Sequence, residues 1–81
     1  MRGGTAMSIV WDRHFSSGIR ELGYDIETHR LIVVFPGGER KYFAPVPYAM
    51  YNALSHATFP ERLYRENVDG KYPRIEVAGY A

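Results

Sequence analysis

The sequence predicts an α+β domain in which a three- or four-stranded antiparallel meander packs against one amphipathic helix and is followed by a second, short helix. Three observations carry this. Residues 31–35, Leu-Ile-Val-Val-Phe, form the most strand-like run in the chain, and the turn residues Pro36, Gly37 and Gly38 follow it directly. Val46, Met50, Leu54 and Ala57 recur at spacings of four, four and three, the stripe of a helix with one buried face. Pro45 and Pro47 stand between the two patterns. Neither can donate to a central ladder, so the strand ends by Ala44, and Pro47 suits the first turn of a helix, where a missing N–H costs nothing.

Residues 1–7 read as a disordered N-terminal extension, 8–78 as a single domain and 79–81 as a tail. The apolar run Ser8-Ile9-Val10-Trp11 is either an edge strand or a cover lying across the core, with Trp11 as its anchor. Leu22, Tyr24 and Ile26 alternate with Glu21, Gly23 and Asp25, while Ile19 is out of phase, which predicts a bulge or bend near Gly18 and Gly23. Residues 27–30 are polar and make a hairpin loop. The run 31–35 is apolar on both faces and therefore central, with Leu31, Val33 and Phe35 on one side. Ile32 and Val34 are then covered on the other, by a helix or by the N-terminal segment. Residues 39–43 return as the third strand.

The first helix is expected over 47–57, with Tyr51 flanking its apolar stripe. Thr58 and Glu61 stand at capping-box spacing with Pro60 in the first turn, so a second helix is expected over 60–67, turning Phe59, Leu63 and Tyr64 inward. Asp69-Gly70 is a turn, and 71–77 is an extended tail or an edge strand, because Pro73 bars it from a sheet centre.

At 81 residues the chain holds one core. The absence of cysteine excludes disulfides, thiolate metal sites and thiol catalysis. Ten Lys+Arg against nine Asp+Glu give a net charge of +1, so nucleic-acid binding would need a local patch rather than an overall basic character. No apolar run approaches the roughly 18–20 residues of a membrane span, and residues 1–6 lack the apolar stretch of a signal peptide. The expectation is a soluble, cytoplasmic protein with no membrane partner.

Two groups of residues are candidates for contact with RNA or another partner. Arg40, Lys41, Tyr42 and Phe43 set cations beside rings on one strand, the combination that meets phosphates while stacking on an unpaired base. Strand alternation limits this: Lys41 and Phe43 share one face, Arg40 and Tyr42 the other. Arg62, Arg65, Lys71 and Arg74 gather around Tyr64 and Tyr72, diluted by Glu61, Glu66, Asp69 and Glu76 into what also reads as an ordinary charged helix face. Tyr24, Tyr48 and Tyr51 could present a surface to a protein, or line the rim of a small core. His14, His29 and His56 lack metal-ligand spacing. Ser16-Ser17 has no base partner, so no catalytic, cofactor or metal residue is expected and the chain does not read as an enzyme.

Ser16-Ser17-x-Ile19, Leu22-Gly23-Tyr24-Asp25, the apolar strand, the glycine turn, Val46-Pro47 followed by Tyr51, Leu54 and Ala57, and the closing Tyr72-Pro73 together resemble the KTSC domain. This small bacterial domain is named for its occurrence at the C-terminus of some lysyl-tRNA synthetases. The resemblance covers roughly 15–74 and implies a role in binding RNA, either tRNA or a single strand. The family's Tyr-x-Tyr ahead of Val-Pro falls on Lys41-Tyr42-Phe43, so Lys41 and Phe43 stand where the resemblance implies tyrosines. The alternative reading is a protein-interaction module, homodimeric through an uncovered strand edge or a tyrosine cluster.

Overall fold

The computed structural model describes residues 9–13 and 18–76. Its elements, in chain order, are β1 (Ile9–Arg13), β2 (Glu21–Asp25), β3 (Arg30–Val34), β4 (Arg40–Phe43), α1 (Tyr48–Ser55), α2 (Pro60–Asn67) and β5 (Arg74–Ile75). The strands lie in the order β1-β2-β3-β4-β5, antiparallel at every step. The expected α+β meander is present, and each flank adds a strand. Ile9–Arg13 resolves the open choice for the N-terminal apolar run as an edge strand, and Arg74–Ile75 takes the opposite edge, where Pro73 allows it. The readings made for 1–8, for His14, Ser16 and Ser17, and for 77–81 fall outside the described residues.

Alternation along the central strands builds the core. Leu22 and Tyr24 on β2, Leu31, Val33 and Phe35 on and just after β3, and Phe43 on β4 face the helices, where they meet Val46, Tyr51, Leu54, Tyr64 and Val68. Tyr51 belongs to the buried stripe of α1 rather than to its flank, at 5% exposure. Ile19 turns into this core ahead of β2, fully buried, while the Arg20 N–H bonds to the Val34 carbonyl at 2.8 Å. The out-of-phase position is therefore a bend before the strand, not a bulge within it.

Ile26 departs from the alternation expected of it. The hairpin turn begins at this residue, held by the Asp25 carboxylate, which accepts the N–H groups of Glu27 and Thr28 at 2.9 and 3.3 Å. Ile26 is consequently 52% exposed. At the next hairpin both Gly37 and Gly38 adopt φ +97°, a conformation that L side chains rarely reach.

Helix α2 runs over the expected residues, but its start differs from a capping box. Pro60 occupies the first helical position, so Phe59 is the N-cap, with no side-chain bond, and Glu61 falls one residue short of the reciprocating position. Glu61 instead lies 3.7 Å from Arg65 and packs on the backbone of Gly18, where an added Cβ would collide with its carboxylate. Phe59, expected to turn inward, is 68% exposed at the helix entry.

Candidate functional site

The sheet divides the sequence candidates between its two faces. Phe43 lies in the core, and its ring meets Tyr64 edge-on at 5.9 Å. Tyr64, also buried, meets Phe35 in the same way at 5.5 Å. The expectation that Phe43 and Tyr64 offer rings to a ligand is corrected by this burial: both are committed to holding α2 on the sheet. Lys41 is half-buried on the same face, its Nζ 5.4 Å from the centroid of Phe35, a cation–π contact with the alkyl stem along the core margin.

Arg62 and Arg65 are exposed on α2, and Arg65 is engaged with Glu61 in a surface pair worth about 0–1 kcal/mol. Tyr72 is half-buried against the core, and Arg74 is exposed on β5 in register with Phe43. Arg40 and Tyr42 lie on the opposite face of the sheet. The nine candidates therefore do not form one surface.

What the opposite face carries emerges from the strand register. Trp11, Gly23, Ile32, Tyr42 and Ile75 are successive partners across all five strands and form one row. A parallel row beside it contains Arg13, Glu21, Val34 and Arg40, and a third contains Ile9, Asp25 and Arg30. None of these residues belongs to the core cluster shared with the helices.

The central feature is the seating of Trp11. A Cβ added to Gly23 would meet Cζ3, Cε3 and Cη2 of the indole at 2.7, 2.8 and 3.0 Å. Near-equal distances to three consecutive ring atoms mean that Gly23 lies under the face of the ring, not at its edge. The indole is thus laid flat on the backbone of β2 with its inner face covered. Trp11 remains 42% exposed, whereas Ile32, next in the row beyond Gly23, is fully buried. Trp11, expected to anchor an N-terminal run that would be either an edge strand or a cover across the core, anchors the edge strand, as a partly exposed ring on the side of the sheet away from the helices. The signal in the sequence was Gly23 itself, since a glycine inside a strand marks close approach of another group.

The expected tyrosine surface is mostly internal. Tyr24 stacks on Tyr51 with centroids 5.5 Å apart, meets Tyr48 edge-on at 5.6 Å and stacks on His29 at 6.4 Å. Its hydroxyl donates to the Val46 carbonyl at 2.6 Å, and the Val46 N–H donates to the His29 carbonyl at 2.9 Å. Only Tyr48 of this group is substantially exposed, at 53%. Burial raises the pKa of Tyr24, with Asp25 adding to it. Burial also pushes Tyr51 up to about 12, aided by Asp12 and Tyr48. Tyr64 is likewise pushed up to about 12 by burial, with Asp69 and Glu39 adding and Arg74 opposing. These phenols stay protonated near neutrality and serve as packing and hydrogen-bonding groups.

Among the described residues, no three His, Asp or Glu side chains gather as a metal set. No helix among them is long and apolar enough to cross a membrane. No curated protein matches the chain. A family model described as the KTSC domain matches residues 15–72 of the 81. The matched span contains β2, β3, β4 and both helices, including the Tyr24–Val46 contact that joins two of the motifs, and leaves β1 and β5 outside. With well over half of its length and its whole helix-covered core inside that match, the protein belongs to the KTSC domain family.

Proposed function

We propose that this protein is a non-enzymatic binding module that takes RNA on the helix-free face of its sheet. The observation that carries the reading is the Trp11 indole, flat on Gly23 with its inner face covered and the residue 42% exposed. A base can stack on such a ring without any rearrangement of the protein, and stacking of this kind tolerates any base. On β4, Arg40 is exposed on this face and Tyr42 is half-buried beside it. The net charge of +1 fits a local patch rather than a basic molecule, so affinity is expected to be modest and salt-dependent.

The test is titration of labelled tRNA and of single-stranded RNA at low ionic strength, repeated as salt is raised. Binding that weakens steadily with salt supports the reading. If neither RNA binds at low salt, or if the protein retains a lysate partner after nuclease treatment and binds no RNA, the function lies elsewhere.

A further inference from the structure

Independently of the RNA reading, we infer that the outer edge of β1 docks a second copy of this chain, the two β1 strands pairing antiparallel with Ile9 opposite Arg13 and Trp11 on the two-fold axis. Two backbone bonds set which way the polar groups of each strand point. The Phe35 N–H donates to the Glu39 carbonyl at 2.8 Å, and the Ala44 N–H to the Pro73 carbonyl at 3.1 Å. Successive residues of an antiparallel ladder bond to opposite neighbours. Counted from Phe35, Val33 and Leu31 bond to β4, so Ile32 and Val34 bond to β2. Counted from Ala44, Phe43 bonds to β3, in agreement with its pairing to Leu31. Gly23 and Glu21, the partners of Ile32 and Val34, therefore bond to β3, which leaves Leu22 and Tyr24 to bond to β1. Asp12 and Val10 meet those bonds, and the N–H and C=O groups of Ile9, Trp11 and Arg13 point outward. Among the described residues no strand lies beyond them.

The two edges of the sheet differ. β5 offers two residues behind Pro73, which has no N–H to lend. β1 is five residues paired to β2 without a bulge, contains no proline, and carries Val10 and Trp11 at 41% and 42% exposure. The indole is tipped inward over Gly23, so it does not screen the outer edge. The charge pattern of the strand favours a second copy as the occupant, with Ile9 and Val10 at one end and Asp12 and Arg13 at the other. Antiparallel self-pairing with Ile9 opposite Arg13 lays each charged end on the apolar end of the other copy, and every outward residue finds a partner. A two-residue slip one way would set Asp12 directly against Asp12, a like-charge pair. The opposite slip would carry Arg13 past the end of the other strand. Beyond Ile9 in its row lies Asp25. Arg13 of one copy, its side chain 77% exposed and its Nε 3.8 Å from its own Glu21, thus comes within two strand spacings, about 10 Å between Cα atoms, of Asp25 of the second copy. An extended arginine covers most of that span. The Asp25 Oδ1 accepts the two turn N–H groups, and Oδ2 accepts neither. The guanidinium is then flanked by a carboxylate from each copy.

A contact made through one short strand is small, so the dimer is weak. Sedimentation equilibrium of the RNA-free protein should show the mass rising from one chain toward two between about 10 μM and about 1 mM. Ile9→Pro removes an outward N–H and no bond to β2, so the monomer should stay folded while dimer affinity falls by about 10-fold or more. Arg13→Glu sets a like charge against Asp25 of the second copy and should weaken the dimer by a similar factor. The chain has no cysteine, so a single introduced thiol can form a disulfide only between copies. With diamide as oxidant, Trp11→Cys should cross-link, because the two-fold axis sets that position about 5.5 Å from its own copy between Cα atoms. Ile9→Cys should not, because its two copies lie roughly 14 Å apart in this register.

A single-chain mass at every concentration overturns the inference and leaves the edge to a partner of another kind. A dimer that both Ile9→Pro and Arg13→Glu leave unchanged is held by some other surface and overturns it as well. Cross-linking of Ile9→Cys in preference to Trp11→Cys overturns the register. If Ile9→Pro fails to fold, Arg13→Glu and the two cysteine variants decide the question. RNA titrations read the function proposed above separately, so a monomer that binds RNA removes the dimer alone, and a dimer that binds none removes the RNA reading alone.

Discussion

The Tyr24 hydroxyl, on the second strand, donates to the carbonyl of Val46, the residue between the two prolines that turn the sheet into α1. The N–H of Val46 is meanwhile held by the His29 carbonyl from the β2–β3 turn. Both polar backbone groups of a residue with a fully buried side chain are thereby satisfied. The hydroxyl is the only part of Tyr24 that phenylalanine would lack. Tyr24→Phe should therefore destabilise the fold by about 1–3 kcal/mol, since the Val46 carbonyl is left without its donor. The denaturation midpoint measures this, with the denaturant slope unchanged.

Tyr64 gives the opposite expectation. Its hydroxyl is buried with no hydrogen-bond partner, although its ring packs edge-on against Phe35 and Phe43. Tyr64→Phe keeps the ring contacts and removes a desolvated polar atom. The variant should be as stable as the parent or more so, by up to about 1 kcal/mol. A midpoint well below the parent's would show that the hydroxyl carries a bond of its own.

Gly23→Ala tests the seat of Trp11. Gly23 does not have a positive φ, so the backbone accepts alanine, and the atoms nearest to the new methyl group belong to the distal ring of the indole. The side chain can swing outward, and the stability cost should stay near 1 kcal/mol, at the low end for overpacking. The displaced indole should show a red-shifted, more easily quenched emission. Unchanged emission would mean that the ring is not lying on Gly23.

Alkaline pH should loosen the core through its phenols. Tyr51 and Tyr64 are raised from 10.0 to about 12, and Tyr24 is raised as well, so the folded state holds these protons more tightly than the unfolded chain. Their contribution is fully present below the unfolded value of about 10 and is lost as pH rises from there toward about 12. Thermal midpoints should therefore start to fall above about pH 10 from this cause. Tyr64→Phe and Tyr51→Phe should each make the fall between about pH 10 and about pH 12 shallower, with its onset unmoved.

Local pattern was enough for much of the architecture. The continuous apolarity of 31–35 marked a central strand, and Pro60 set the start of α2 at the residue where the structure has it. What failed were judgments about which ring faces where. Phe43 and Tyr64 looked available beside arginines, yet period-two alternation at one and helical phase at the other commit them to the core. For Trp11 the choice between an edge strand and a cover across the core stayed open. Its side of the sheet depends on the pairing of β1 with β2, a long-range register that no short window displays. Phe59 was read inward from a capping box that Pro60 displaces by one position.

The placement of β5 bears on how the fold is assembled. β1 through β4 join neighbours in sequence, while the two-residue β5 reaches β4 only after the segment holding both helices has closed on itself. Closing that loop costs chain entropy that a pair of residues does little to offset. The β5 edge should be the last contact made and the first to open, with the Ile75 amide exchanging well ahead of those of β2 and β3 in native-state hydrogen exchange. The aromatic row would then be frayed at its Ile75 end and firm where Trp11 lies on Gly23.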